Sequence, residues 1–296
     1  MNKILLLAGH DIDVLQGADI KADIPEVYKK GILFKILNKN KHLIKYSLDT
    51  WKKNIKLYNV VIIFDTYYND GLIDYLYKMN SRLRVIFYCW NTIKTISKRT
   101  NIESILNDKR IEVWSYNYSD CKQYSMIYNQ QFWNKRLISM NNMNTIDISF
   151  IGSPKQRIEF LQNIYTYCQN NNLITYFYIT GYECEFNRNK GGKFLPYTQY
   201  ISEIASKSHA ILDLVTDENV GLTLRPLEAL FLGKKLITNY SDIVNESFYN
   251  VNNVYIIGKD KRTILEFLSL PYKKISEKII SSYDCISWIK RFGVEE

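Results

Sequence analysis

Residues 221–239 read GLTLRPLEALFLGKKLITN, and they sit between two apolar runs, HAILDLV (209–215) and KKLITNY (234–240). The runs have the β-branched, near-continuous apolar character of strands covered on both faces. Residues 223–232 between them have the length and composition of a helix. Strand, helix and strand in so short a span form one parallel β-α-β unit. The same stretch places Gly221, Thr223, Arg225 and Glu228 within eight residues, at the mouth of the helix.

Working outward, the pattern repeats. Strand-like runs fall at 3–9, 58–64, 83–89 and 111–115, then at 147–153, 174–181 and 253–258. Helical stretches at 155–170, 197–207 and 261–269 separate the later ones, and a further helix is expected to start at Asp23 with Pro25 in its first turn. This alternation predicts an α/β fold made of two Rossmann-like domains, 1–143 and 144–296, joined through the Asn-rich SMNNMNT at 139–145. A last helix at 275–292 has no strand after it, so it either crosses back to the first domain or packs on its own.

Composition narrows the class. Over 296 residues, 46% hydrophobic and 23% charged side chains suit a folded chain with a core in each domain and exclude disorder. No run approaches the roughly 18 apolar residues of a membrane span, and the short start MNKILLLAGH does not read as a signal peptide, so a cytoplasmic location is expected. Five scattered cysteines and three histidines lack metal-ligand spacing, which predicts reduced thiols and no bound metal. The net charge of +9 favours acidic partners, a nucleotide phosphate or peripheral contact with an anionic inner membrane. No dense basic block argues for nucleic acid.

In open parallel sheets, ligands bind beyond the carboxyl ends of the strands. That rule selects His10, Asp11 and Asp13 after the first run, Asp65 after the second, Trp90 and Asn91 after the third, and Gly152, Ser153 and Lys155 at the start of the second half. At the opening stretch, Gly221 allows close approach, and Thr223 stands by free helix N–H groups that favour phosphate. Arg225 suits phosphate oxygens as a planar fork, and Glu228, three residues on, suits a pair of ribose hydroxyls. An ordinary surface ion pair is the plain alternative for these two.

LEALFLGKKLIT within this stretch resembles the donor-domain motif of GT-B glycosyltransferases, the twin-Rossmann enzymes that build bacterial lipopolysaccharide and capsule. The resemblance implies a nucleotide-sugar donor, a glycan or lipid-linked glycan acceptor, two domains facing a cleft, and no cofactor or metal. Glu228 then matches the ribose glutamate, and Gly221 to Thr223 the diphosphate turn. DISFIGSPKQR (147–157) looks like the first strand and glycine turn of that domain, where Lys155 or Arg157 reaches phosphate, and Tyr197 falls near the donor base. Val220 occupies the place of the family's first glutamate, with Glu218 two positions away, so the resemblance leaves the stereochemistry open.

A transferase of this kind deprotonates the acceptor hydroxyl, and His10, Asp11 and Asp65 are the candidate bases. The same plan serves a sugar-nucleotide 2-epimerase, for which no acid/base set is visible on the donor side, or a non-catalytic nucleotide-sugar-binding subunit. Glu228→Ala is expected to weaken donor binding with the fold intact.

Overall fold

The computed structural model describes residues 2–25, 50–69, 71–138, 143–154, 156–190, 195–216 and 221–294. Its contacts divide the chain into two compact units, Met1–Gln130 with Ile286–Glu296, and Gln131–Cys285. Both are α/β with parallel sheets, the class that the alternating pattern predicts. The first unit ends ahead of the Asn-rich stretch, and the C-terminal segment returns to it.

In the first unit the strands are β1 (Ile4–Leu7), β2 (Ala22–Asp23), β3 (Val60–Phe64), β4 (Arg84–Cys89), β5 (Ile111–Ser115) and β6 (Ile127–Tyr128). They lie in the order β2-β1-β3-β4-β5-β6, all parallel, and β1 and β3 are buried at every position. The two-residue strands β2 and β6 close the edges and escape periodicity, since two residues carry no period. The helix expected from Asp23 lies largely outside the described residues, and Asp23 itself accepts a 2.8 Å bond from the Tyr58 hydroxyl.

The second unit contains β7 (Ile146–Gly152), β8 (Thr175–Ile179), β9 (Ser208–Asp213), β10 (Lys235–Thr238) and β11 (Val254–Ile256), in the order β11-β10-β9-β7-β8. Helices Ile158–Asn170, Tyr197–Glu203, Leu224–Leu232 and Ile264–Ser269 fall where the sequence predicts them. Both sheets follow the doubly wound order in which the first strand lies between the second and third. The switch point of each sheet, where such folds form a crevice, is therefore at the carboxyl ends of β1 with β3 and of β7 with β9.

The expected helix at 275–292 is two, Glu277–Ser282 and Cys285–Lys290. Main-chain bonding to Trp133 interrupts it: Trp133 N–H donates to the Tyr283 carbonyl at 2.8 Å, and Cys285 N–H donates to the Trp133 carbonyl at 2.9 Å. Beyond that break Trp288 and Phe292 enter the first unit, Trp288 5.2 Å from Tyr88 and Phe292 4.9 Å from Trp114 between ring centres. Asn129 donates to the Trp288 carbonyl at 3.2 Å and accepts from Arg291 at 2.6 Å, so the return is fixed by hydrogen bonds as well as apolar area.

At the first crevice, Gly9 has a φ of +60°, and a Cβ there would stand 3.0 Å from the Thr66 carbonyl carbon and the Tyr67 nitrogen. Positive φ and a backbone neighbour both select glycine. Gly9→Ala should cost about 2–4 kcal/mol, combining left-handed strain with overpacking. Urea unfolding of the two proteins measures it, and a difference below about 0.5 kcal/mol would contradict this packing.

Candidate functional site

Several of the residues expected at the donor lie close to the carboxyl ends of β7 and β9 in the second unit. Gly152 ends β7 and Ser153 follows it, while Arg157, one turn on, reaches across. Its guanidinium donates to the Ser153 carbonyl at 2.6 Å and to the carbonyl of Leu214, the residue after β9. It also lies 5.4 Å from the Phe150 ring centre, and its buried Nε has no partner among the described residues. Burial holds this arginine below its ordinary pKa; Asp213 opposes that shift, and the nearby Arg225 charge adds to it. Lys155 lies outside the described residues.

Across the crevice, Gly221 leads into the helix with a φ of +72°. Thr223 occupies the N-cap position, yet its hydroxyl does not cap the helix. It donates instead to Asp213 at 3.1 Å, and Thr238 at the end of β10 donates to the other carboxylate oxygen at 3.2 Å. The first-turn amides of Leu224–Leu232 are thus left without a side-chain cap, the arrangement that receives anions at helix starts. Asp213 is a residue that sequence reasoning missed, because as the last polar position of a buried strand it carries no motif.

Glu228, expected at the ribose, is fully buried inside the second unit's core. One carboxylate oxygen accepts from the Tyr197 hydroxyl at 2.8 Å and from Arg225, and the other accepts from the Tyr200 hydroxyl at 2.9 Å. Trp133 Nε1 in turn donates to the Tyr197 oxygen at 2.7 Å. The Arg225 guanidinium stands 4.7 Å over the Tyr200 ring, and its side chain is 23% exposed. Burial works most strongly against the Arg225 charge, but Glu228 together with the Tyr200 and Tyr197 phenols outweighs it and holds the pKa above its ordinary value. The same burial, with the Glu228 charge, raises both phenols well above theirs.

At the first crevice, His10 and Asp11 belong to a 3-10 turn, Gly9–Leu15, that follows β1; their side chains lie outside the described residues. Asp65 follows β3, and its buried carboxylate accepts from Trp90 N–H at 2.6 Å, Asn91 N–H at 3.0 Å, the Asn91 amide at 2.9 Å and Arg99 at 3.2 Å. Burial raises its pKa, against the bonds from Asn91 and Trp90 and the Arg99 charge. Those four donors leave little lone-pair capacity for a substrate proton.

No family model and no curated protein matches the chain. Among solved structures it is similar to a chain in the crystal structure of a GtfA/B complex, with 13% identity, 86% of this chain and 54% of that chain covered, and a TM-score of 0.45. It spans about half that chain's length. It is also similar to an alpha-glucosyltransferase in complex with UDP and a 13-mer DNA containing a central A:G mismatch. There the identity is 13%, the coverage 85% of this chain and 80% of that one, and the TM-score 0.49.

Two outcomes follow from these networks. Removing the Glu228 carboxylate strands the Arg225 charge and two buried phenols, so Glu228→Ala should destabilise the fold by about 3 kcal/mol, with Glu228→Gln milder. This revises the expectation of an intact fold; equal melting of Glu228→Ala and wild type would refute it. The second outcome concerns Asp213, whose pKa burial raises above the ordinary 3.8, against the Thr223 bond, the Arg225 charge, the Thr238 bond and the Arg157 charge. The folded state then keeps this proton to higher pH than the unfolded chain, so stability falls as pH rises from 3.8 through the raised value. Asp213→Asn should flatten that part of the slope in urea titrations across the acid range, and an unchanged slope would count against the shift.

Proposed function

We propose that the chain is a glycosyltransferase that takes a sugar from a nucleoside-diphosphate donor bound at the β7/β9 crevice. One observation carries the reading: Arg157 bonds to the carbonyls of Ser153 after β7 and Leu214 after β9, and so spans the topological switch point of a sheet whose next helix starts uncapped. Two donor forks and free amides suit a diphosphate, whose charge grows as the glycosidic bond breaks. In this reading Arg157 and the helix amides stabilise the departing diphosphate without a divalent cation.

The motif around Glu228 supports a surface glycan as acceptor, of the lipopolysaccharide, O-antigen or capsule type. The +9 charge supports peripheral contact with an anionic membrane, and no described helix is long and apolar enough to cross one. His10 or Asp11 is the proposed base for the acceptor hydroxyl; Asp65 is assigned to holding the turn after β4.

A thermal-shift screen against UDP, CDP and GDP with EDTA present tests the donor site. One of the three should raise the melting temperature, and Arg157→Ala should weaken that ligand about 10- to 100-fold, the worth of one or two charge-assisted bonds. Absence of any shift, or full affinity in Arg157→Ala, would sink the assignment.

A further inference from the structure

We infer that Glu228 is a positioning residue that serves the donor only through Arg225, and that Arg225 makes the ligand contact. This rests on the donor site proposed above. Glu228 is fully buried, and its oxygens accept from Tyr197, Tyr200 and Arg225. To accept from a ribose instead, the carboxylate would have to leave partners that compensate its charge in a water-free interior, the costliest place to break such bonds. Arg225 is in the opposite situation. Its side chain is 23% exposed, Nη1 is committed to Glu228, and the Tyr200 ring supports its plane at 4.7 Å.

The surrounding bonds have a direction that fits this role. Trp133 donates to Tyr197, Tyr197 and Tyr200 donate to Glu228, and Glu228 accepts from Arg225. Each phenol is held as a donor, so the carboxylate can turn in neither plane nor position, and the guanidinium inherits its orientation. A fork held in this way loses less side-chain entropy on binding a ligand oxygen.

The test is a pair of double-mutant cycles read by calorimetric titration with UDP, CDP and GDP and their 2′,3′-dideoxy counterparts. Glu228→Gln should weaken the bound diphosphate about tenfold in the wild-type background and have little effect in the Arg225→Lys background, because the two act as one unit. The penalty for the dideoxy ligand should be the same in Glu228→Gln as in wild type. If Glu228→Gln erases that penalty, the carboxylate touches the ribose and the inference fails while the donor site stands. Unchanged affinity in Glu228→Gln also overturns it. Failure of wild type to bind any of the three removes the donor site itself. Tyr197→Phe, which keeps the charge and loses one bond to it, should give a smaller loss with the same pattern, and it serves if Glu228→Gln does not fold.

Discussion

A carboxylate with no access to water, held in the apolar core of the second unit, constrains most of what surrounds it. Glu228 lies on a helix whose residues from Pro226 to Phe231 are all buried, so its charge requires compensation from within the protein. Arg225 one turn earlier supplies the opposite charge, and Tyr197 and Tyr200 on the preceding helix supply the donors. That requirement fixes the distance between two helices and ties Trp133 to them through Tyr197. Trp133 is in turn the residue whose main chain interrupts the C-terminal helix, so the departure of the terminal segment toward the first unit begins at the same network. Replacing such a cluster by apolar side chains often stabilises a protein, so the network is no mark of stability by itself; its visible effect is to fix the Arg225 guanidinium against Glu228 and the Tyr200 ring.

The two units use a common device beside their crevices. Asp65 comes directly after β3, and Asp213 closes β9; these are the strands that flank the first strand at the switch point in each sheet. Both carboxylates are buried and both reach sideways to the end of the next strand, Asp65 to Trp90 and Asn91 after β4, Asp213 to Thr238 at the end of β10. A parallel sheet leaves main-chain groups unpaired where its strands stop, and an acceptor at that point orders the turns that follow. The consequence differs between the units. Around Asp65 all the donors are consumed locally, whereas Asp213 draws the Thr223 hydroxyl away from the helix start and leaves the amides there open.

Much of this was legible in the sequence because buried parallel strands announce themselves as continuous apolar runs. HAILDLV and KKLITNY coincide with β9 and β10 within two residues at each end, and Gly233 between helix and strand ends the helix in the left-handed conformation, with a φ of +64°. The sequence also picked out residues that bond together in the second unit: Tyr197 and Arg225 both bond to Glu228, and Thr223 bonds to Asp213 at the end of β9. What spacing could not supply was the direction of each side chain. Arg225 and Glu228 at i and i+3 fit a surface pair and a buried one equally well, and only the neighbouring helix carrying Tyr197 and Tyr200 decides for burial. The break at Tyr283 was hidden for a related reason, since its cause is the main chain of Trp133, about 150 residues earlier in the sequence.

Charge at the second crevice is balanced among its described members, with Arg157 and Arg225 positive and Asp213 and Glu228 negative. The two arginines are not equivalent in this respect. Arg225 has a carboxylate bonded directly to it, so its free N–H groups offer direction with little net field. Arg157 bonds only to main-chain carbonyls among the described residues, feels Asp213 at longer range, and retains a buried Nε without a partner. Carbonyl dipoles satisfy N–H groups without cancelling charge, so Arg157 keeps the larger uncompensated field. On the reading proposed above, a diphosphate would meet that field first and find Arg225 already oriented, which separates attraction from alignment between two residues that spacing alone would have treated as a pair.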